Sequence, residues 1–337
     1  MTLFLGGEDI AALATDGVIM GAARAAVAAE RAGTTILPPR IDVDHAAGFL
    51  RVMPASVNGL IGMKVMTLTK GLGTRYLVLV YDSASGDLVA MLDADEITRL
   101  RTAATTALAG EMLAPGGATT LALIGSGFEA EGHLRVFASL WPLERVLVYS
   151  PSAERRSAFA SRMSAELEID VRSAESMVEA VASAPVSVLA TKSAEPVVAG
   201  DAFPSGAVVL SIGSTRPDLR ELDRGSMRRA AMLLADDANQ VCQESGDIMD
   251  GLQSGALTRD RIVSMADVDG SPPPTGDGRD LLAFKSVGTA VHDLSLAAAL
   301  IELARERGCG RELGELTRLK PFADLAGATQ PGVLGTA

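Results

Sequence analysis

The sequence predicts an α/β protein in which a doubly wound parallel sheet is joined to a second, discontinuous α+β domain. From Leu121 onward, short apolar runs alternate with helical spacings, the pattern of a sheet with helices on both faces. The first hundred residues instead give strands bounded by turns. A long helical segment, Gly288 to Arg307, follows the alternation and is assigned back to the first part. The expected division is therefore 1–116 with 288–337, a substrate-binding and dimerisation domain, around 117–287, a dinucleotide-binding domain.

Taken in order, Asp9 to Ala32 carries apolar residues at helical spacing and predicts one or two helices. Ile36 to Val43 contains Pro38 and Pro39 and is extended. Phe49 to Met53 and Ile61 to Met66 read as strands, and Leu77 to Tyr81 with Leu88 to Leu92 as a hairpin around Ser83 to Asp87. Glu96 to Leu113 is an alanine-rich helix ended by Pro115-Gly116-Gly117. Strands follow at Leu121 to Ile124, Arg145 to Tyr149, Asp170 to Arg172, Val186 to Ala190, Ala207 to Ile212, Met232 to Ala235 and Leu281 to Phe284, with helices at Ala153 to Leu167 and from Ala174. Asp267 to Asp280 is a Pro/Gly-rich turn region, Gly308 ends the last helix, and the tail after Leu319 is polar and weakly patterned.

The stretch TTLALIGSGFEAEGHLR, Thr119 to Arg135, holds the pattern G-x-G-x-x-A at Gly125, Gly127 and Ala130 between a strand and a helix. Gly125 permits the tight turn, Gly127 lets a pyrophosphate approach the backbone, and Ala130 allows close helix–strand packing. The helix N-terminus adds free N–H groups and a positive dipole end. In this context the motif predicts a Rossmann domain binding NAD or NADP; the same glycines alone would also suit a plain turn.

A net charge of −12 over 337 residues, without a Lys/Arg run, argues against a nucleic-acid partner. No apolar run is long enough to span a bilayer and the N-terminus lacks a leader pattern, so the expectation is a cytoplasmic protein without membrane attachment. Cys242 and Cys309 are expected to be inert buried thiols, and no Cys/His cluster implies a metal. His45, His133 and His292 are scattered singly, without a triad spacing.

Three cations stand out in the first domain: Arg40 beside two prolines, Lys64 inside an apolar strand, and Arg101 in the alanine-rich helix. Each alone would also suit a surface charge or an ion pair. Together they suggest a carboxylate clamp, with bidentate arginine forks and a lysine point charge. Arg75 is a fourth candidate, for a second substrate carboxylate, although a solvated strand end accounts for it better. Met53 and Met66 are candidates for an apolar wall.

These residues lie within motifs that resemble the ornithine cyclodeaminase/μ-crystallin family along nearly the whole chain. They are Pro39-Arg40, Met53-Pro54-Ala55, Lys64, Arg101-Thr102-Ala103-Ala104, the glycine motif with Glu131-Gly132-His133, Gly213 with Arg216-Pro217-Asp218, Arg220-Glu221-Leu222-Asp223, and Phe284-Lys285-Ser286-Val287-Gly288. The resemblance implies a homodimer of two-domain subunits, with Arg40, Lys64 and Arg101 on the substrate carboxylate and Ser286 to Gly288 near the nicotinamide. Expected cofactor contacts are Thr102, Gly125, Gly127, Phe128, Glu129, Ala130, Ser150, Ser152, Arg155, Thr191, Ser214, Ser286, Val287 and Gly288.

Cyclodeaminases of this family carry an aspartate where this chain has Thr215. A threonine hydroxyl is neither a base at neutral pH nor a counter-charge for an ammonium, so release of ammonia is disfavoured. The resemblance then implies the ketimine and imine reductase branch: NAD(P)H-dependent reduction of a small α-imino acid, a cyclic ketimine or an iminosuccinate-like compound, to the L-amino or cyclic imino acid. Thr215 and Lys64 are the catalytic candidates. The alternatives are an NAD-dependent cyclodeaminase, which is an ammonia lyase, and a μ-crystallin-like binder of nucleotide or small ligand without turnover. NAD against NADP stays open, because the second strand ends in Ser150 rather than an acid while Ser152, Arg155 and Arg156 could support a phosphate.

Overall fold

The computed structural model describes residues 1–268, 278–317 and 319. Most of the Asp267 to Asp280 region and nearly all of the tail lie outside the described residues. The first part contains, in order, β1 (Leu3–Leu5), α1 (Gly7–Leu13), α2 (Asp16–Arg31), β2 (Thr35–Ile36), β3 (Ile41–His45), β4 (Gly48–Val57), β5 (Leu60–Thr69), β6 (Gly73–Asp82), β7 (Leu88–Asp93) and α3 (Asp95–Leu113). Next come β8 (Thr120–Ile124), α4 (Phe128–Leu140), β9 (Arg145–Tyr149), α5 (Ala153–Leu167), β10 (Asp170–Ser173), α6 (Met177–Ala182), β11 (Val186–Leu189) and β12 (Val208–Ser211). The remainder is α7 (Arg224–Arg229), β13 (Ala230–Ala235), α8 (Ala238–Glu244), α9 (Gly246–Gln253), β14 (Ile262–Ser264), β15 (Leu281–Lys285), α10 (Ala290–Arg307) and β16 (Arg311–Glu312).

Two sheets result. One runs β16-β1-β7-β6-β5-β4-β2, with β3 also paired to β4. It is antiparallel except where β1 lies parallel to β7. The other, β10-β9-β8-β11-β12-β15-β13-β14, is parallel throughout. Its order reverses between β8 and β11, the switch point where doubly wound sheets bind ligands. β11 and β12 are buried at every residue, which is why Val-Ser-Val-Leu and Val-Val-Leu-Ser read as continuous runs rather than alternations.

The β4–β5 turn sets the register on which the site depends. Asn58 and Gly59 both have positive φ, 47° and 82°, as a two-residue hairpin turn requires. Lys64 therefore faces Met53 on β4 and Val78 on β6, on the same side of the sheet as Gly62, Met66 and Leu68. α10 packs on this side: a Cβ on Gly62 would lie 2.8 Å from Leu294 Cδ2 and 2.3 Å from the Leu79 carbonyl oxygen. α3 is buried along most of its length because it lies between both sheets and α4. Its small residues allow the close approach, and a Cβ on Gly110 would meet Trp141 at 2.8 Å.

Several expectations need adjustment. Asp9 to Ala32 divides into α1 and α2, bent by 92°, and among the described residues no single helix is long and apolar enough to cross a membrane. The short elements β1, β14, β16, α8 and α9 carry too few residues for a period to show. Cys242 and Cys309 are partly rather than fully buried, and both are free thiols.

Candidate active site

At the carboxyl end of β8 the chain turns through Gly125, whose φ is +127° and whose N–H donates to the Tyr149 carbonyl at 2.8 Å. A Cβ there would sit 2.5 Å from the Ala190 carbonyl oxygen, so only glycine fits between β8 and β11. Gly127 is the N-cap of α4 and offers no side-chain cap, and a Cβ built on it meets nothing within 4 Å. Uncapped N–H groups facing open space suit a pyrophosphate. Ala130 is fully buried against β8.

The ribose end of this cradle is polar but not acidic. Ser126 Oγ donates to Ser150 Oγ at 2.8 Å, tying the turn to the end of β9. Arg156 donates to the Ser150 carbonyl and to Ser173 Oγ, both at 3.1 Å, and stacks over the Tyr149 ring. Arg155 is exposed, and Ser152 caps α5 by accepting from its backbone N–H at 3.2 Å. Of the two arginines expected there, Arg156 is held at the strand end, because the N-capped first turn of α5 brings its fourth residue back over β9.

A cavity of about 230 Å³ is lined by Glu129 of α4 and by Ala190 and Thr191, which follow β11. Lys64, Arg101 and Arg40 all line it. Lys64 Nζ lies 2.8 Å from Asp293 Oδ2, and Arg101 Nε donates to Asp293 Oδ1 at 2.9 Å. The side chains of Lys64, Arg101 and Asp293 are all buried. Burial pulls the Lys64 ammonium down to about 8, with Asp293 opposing the shift and Arg101 adding to it. Burial pushes the Asp293 carboxyl up, but Arg101 and Lys64 prevail and hold it below its ordinary value.

Arg40 completes the cluster from the loop between β2 and β3. Its Nη2 donates to the Gly288 carbonyl at 2.9 Å and pairs with Glu244 at 2.5 Å, while Nε has no partner among the described residues. The segment Ser286 to Gly288 is itself fixed from below by Asp236, which accepts from Ser286 Oγ at 2.7 Å and from the N–H groups of Val287 and Gly288 at 3.0 and 2.7 Å. Gly288 has φ +78°, and a Cβ would stand 2.6 Å from Arg101 Nη1. The guanidinium lies directly on this glycine.

A second buried network holds the neighbouring loops. Glu221 accepts from the Thr191 N–H and hydroxyl, at 2.7 and 2.8 Å, and from Ser211 Oγ and the Gly213 N–H, both at 2.7 Å. Lys285 Nζ donates to Ser211 Oγ at 2.8 Å and lies 3.1 Å from Asp247 Oδ2. Burying these charges is tolerable only because each has several partners. The loops following β11, β12 and β15 are thereby locked together at the sheet edge.

Of the expected contacts, Met53, Thr102, Glu129, Thr191, Thr215, Ser286, Val287 and Gly288 line the cavity together with the three cations. Ser214 does not: its hydroxyl turns inward to the Leu219 carbonyl at 2.7 Å and to Ser245 Oγ at 3.3 Å. Phe128 is largely exposed under the Arg99 guanidinium. Arg75 is also exposed and outside the cavity, since strand alternation puts Thr74 and Tyr76 on the cavity side of β6 and Arg75 on the other. Further cations at the cavity are Lys192, Arg216 and Arg51, of which Arg51 neighbours Met66 across β4 and β5 and pairs with Asp42 through two hydrogen bonds of 2.7 and 2.6 Å. Its position two residues before Met53, on the same face, was the signal for it.

A dinucleotide cradle at a switch point, joined to a cavity ringed by cations, defines the class: a nucleotide-dependent enzyme for a small carboxylate. A sequence model of the ornithine cyclodeaminase/mu-crystallin family matches residues 4–308, and the chain belongs to that family. It is 34% identical over 269 residues to the mouse (Mus musculus) ketimine reductase mu-crystallin, covering 77% of this chain and 82% of that one. It is 31% identical over 317 residues to the Delta(1)-pyrroline-2-carboxylate/Delta(1)-piperideine-2-carboxylate reductase of Azospirillum brasilense, covering 91% and 96%. The Thermococcus litoralis Delta(1)-pyrroline-2-carboxylate reductase, solved with NADH and L-proline, superposes with a TM-score of 0.86 at 28% identity, over 92% of this chain and all of that one.

Proposed function

We propose that this protein reduces a small α-imino acid, a cyclic ketimine such as pyrroline-2-carboxylate foremost, to the L-amino or cyclic imino acid with NADH or NADPH. The observation that carries this is the convergence of buried Arg40, Lys64 and Arg101 on a cavity whose lining also includes Glu129 from the first turn of α4 and Ala190 and Thr191 after β11. Among the described residues only Asp293 and Glu244 stand against these three cations in direct ion pairs, so a substrate carboxylate neutralises the remainder. The reductases named above support the reading, and the fold and glycine cradle fit the cofactor.

The reduced nicotinamide, when bound, supplies the hydride for the C=N carbon. The chain's own residues position the acceptor. Arg40, Lys64 and Arg101 hold the carboxylate, Met53 and Met66 give the ring an apolar wall, and the Ser286 to Gly288 segment lies beside the clamp. The orientation of a planar imine next to its carboxylate is the main catalytic need, because a protonated imine is already electrophilic. Thr215 lines the same cavity with a hydroxyl that has no partner among the described residues. It is proposed to hydrogen-bond the substrate, not to act as a base.

The working form is proposed to be a cytoplasmic homodimer, with the 1–116 and 288–337 unit supplying the contact. Ile36, Ile41, Val43 and Ile61, all exposed on β2, β3 and β5, support a partner surface there. Cofactor oxidation, followed with each reduced nucleotide across pyrroline-2-carboxylate, piperideine-2-carboxylate, and oxaloacetate or pyruvate with ammonia, tests the activity. Turnover of a cyclic ketimine is expected. Ammonia release from ornithine without net cofactor oxidation would overturn the reading.

A further inference from the structure

The cavity contains one carboxyl group, expected from the sequence as a cofactor contact, to which the proposed reduction assigns no step. Glu129, the second residue of α4, is the single acidic side chain among the residues lining the cavity. Its Oε2 is shielded from solvent and has no hydrogen-bond partner among the described residues. Side chains from several elements face it: Arg101 and Arg99 from α3, Lys64 from β5, Tyr76 from β6 and Lys192 from the loop after β11. On its own helix, its carbonyl oxygen meets His133 Nδ1 at 2.7 Å.

The geometry points to Glu129 as a catalytic residue, the proton partner of the imine nitrogen. The assignment rests on the imine-reductase reading. Hydride addition to the carbon of a neutral imine leaves an anionic nitrogen, so the reaction as a whole must supply nitrogen with one proton. The carboxylic acid of Glu129 gives that proton to nitrogen and becomes a carboxylate, while the nicotinamide is oxidised as it gives up its hydride. Solvent reprotonates the acid through the exposed side of the cavity, where Lys192 stands. If Glu129 gives the proton to the bound imine before the hydride adds, the acceptor is the electrophilic iminium and the count of atoms and charge is unchanged.

Two features favour this use over a contact with the cofactor. An unmatched buried acceptor facing the substrate cavity implies a ligand donor or a retained proton, since a buried carboxylate otherwise gathers partners. In addition, a permanently ionised group at the start of α4 would repel the pyrophosphate held by the same N-terminus. Burial lifts the Glu129 carboxyl above its ordinary value even against the surrounding cations.

The test is Glu129→Gln, which preserves shape and removes the titrating proton, with Glu129→Asp as a second variant. Steady-state kinetics are measured across pH on a ketimine that the wild-type enzyme reduces, alongside NADH and NADPH binding by fluorescence. Glu129→Gln is expected to lower kcat by about a hundredfold or more, the usual worth of a positioned acid. It should abolish the alkaline limb of the kcat profile and leave cofactor affinity unchanged, with Glu129→Asp restoring part of kcat and the limb. An unchanged kcat and pH profile, or a loss confined to cofactor affinity, overturns the assignment alone. Failure of the wild-type enzyme to reduce any ketimine overturns the function reading, and this assignment with it.

Discussion

Lys64 and Asp293 meet at 2.8 Å although 229 residues separate them in the chain. The pair joins β5 to α10 inside the protein. Asp293 also takes Arg101 from α3, so a single carboxylate positions two of the three cations that face the cavity.

Asp293→Asn should therefore weaken both stability and substrate binding. Removing one partner from a buried ion cluster typically costs about 3–5 kcal/mol, because the remaining charges are left uncompensated. Chemical denaturation should show a loss of about that size, and the KM for the imino acid should rise. A variant as stable as the wild type would mean that Lys64 gives up its charge or finds another partner.

Gly288→Ala tests the contact between Arg101 and the segment proposed to lie beside the nicotinamide. A methyl group here would stand 2.6 Å from Arg101 Nη1 on a backbone at φ +78°. Displacing the guanidinium sacrifices a charge-assisted hydrogen bond of about 1.5–3 kcal/mol, a rise in KM on the order of 10- to 100-fold. Unaltered KM would show that the substrate does not use Arg101.

The parallel sheet was largely legible because buried strands leave continuous apolar runs and Gly125 and Gly127 mark the first crossover. Lys64 stood out because a lysine inside Ile61 to Met66 conflicts with a buried strand unless it is paired. Its partner did not stand out. Asp293 is one acid in a helix, and no local spacing links it to a strand far away. Asp236 stood out only by its place at the end of a strand and Glu221 only within a motif, while Asp247 did not stand out, because their roles consist of hydrogen bonds to backbone from other loops. Arg75 and Arg51 are both cations in strands, and only the hairpin register decides which faces the cavity. Ser214 looked like a site residue because it sits beside Thr215, yet adjacent residues in a turn point in different directions.

Ser150→Asp should move cofactor choice toward NADH. At the end of β9 an acid accepts from the ribose hydroxyls and repels a 2′-phosphate. With a charged hydrogen bond worth about 1.5–3 kcal/mol, the ratio of kcat/KM for NADPH over NADH should fall on the order of tenfold or more. Arg156 remains at the Ser150 carbonyl and would pair with the new acid, so any smaller change is attributed by repeating the measurement in an Arg156→Ala background. An unchanged ratio in both backgrounds would place the ribose elsewhere.

The pH dependence of KM should carry the signature of Lys64. Burial lowers its ammonium to about 8, so in the free enzyme it is charged below that value and neutral above it. The charged form binds the substrate carboxylate, hence KM is expected to be flat at lower pH and to rise as the pH passes about 8. Bound carboxylate adds a negative charge beside the ammonium and draws its titration back up, so this limb belongs to kcat/KM and not to kcat. Lys64→Met should remove the limb and raise KM at neutral pH by about 10- to 100-fold, the loss of one charge-assisted hydrogen bond. The substrate imine titrates too, and measuring its ionisation separately distinguishes its limb from that of the enzyme. A wild-type KM that stays flat through this range, once the imine is accounted for, would show that Lys64 does not bind the carboxylate.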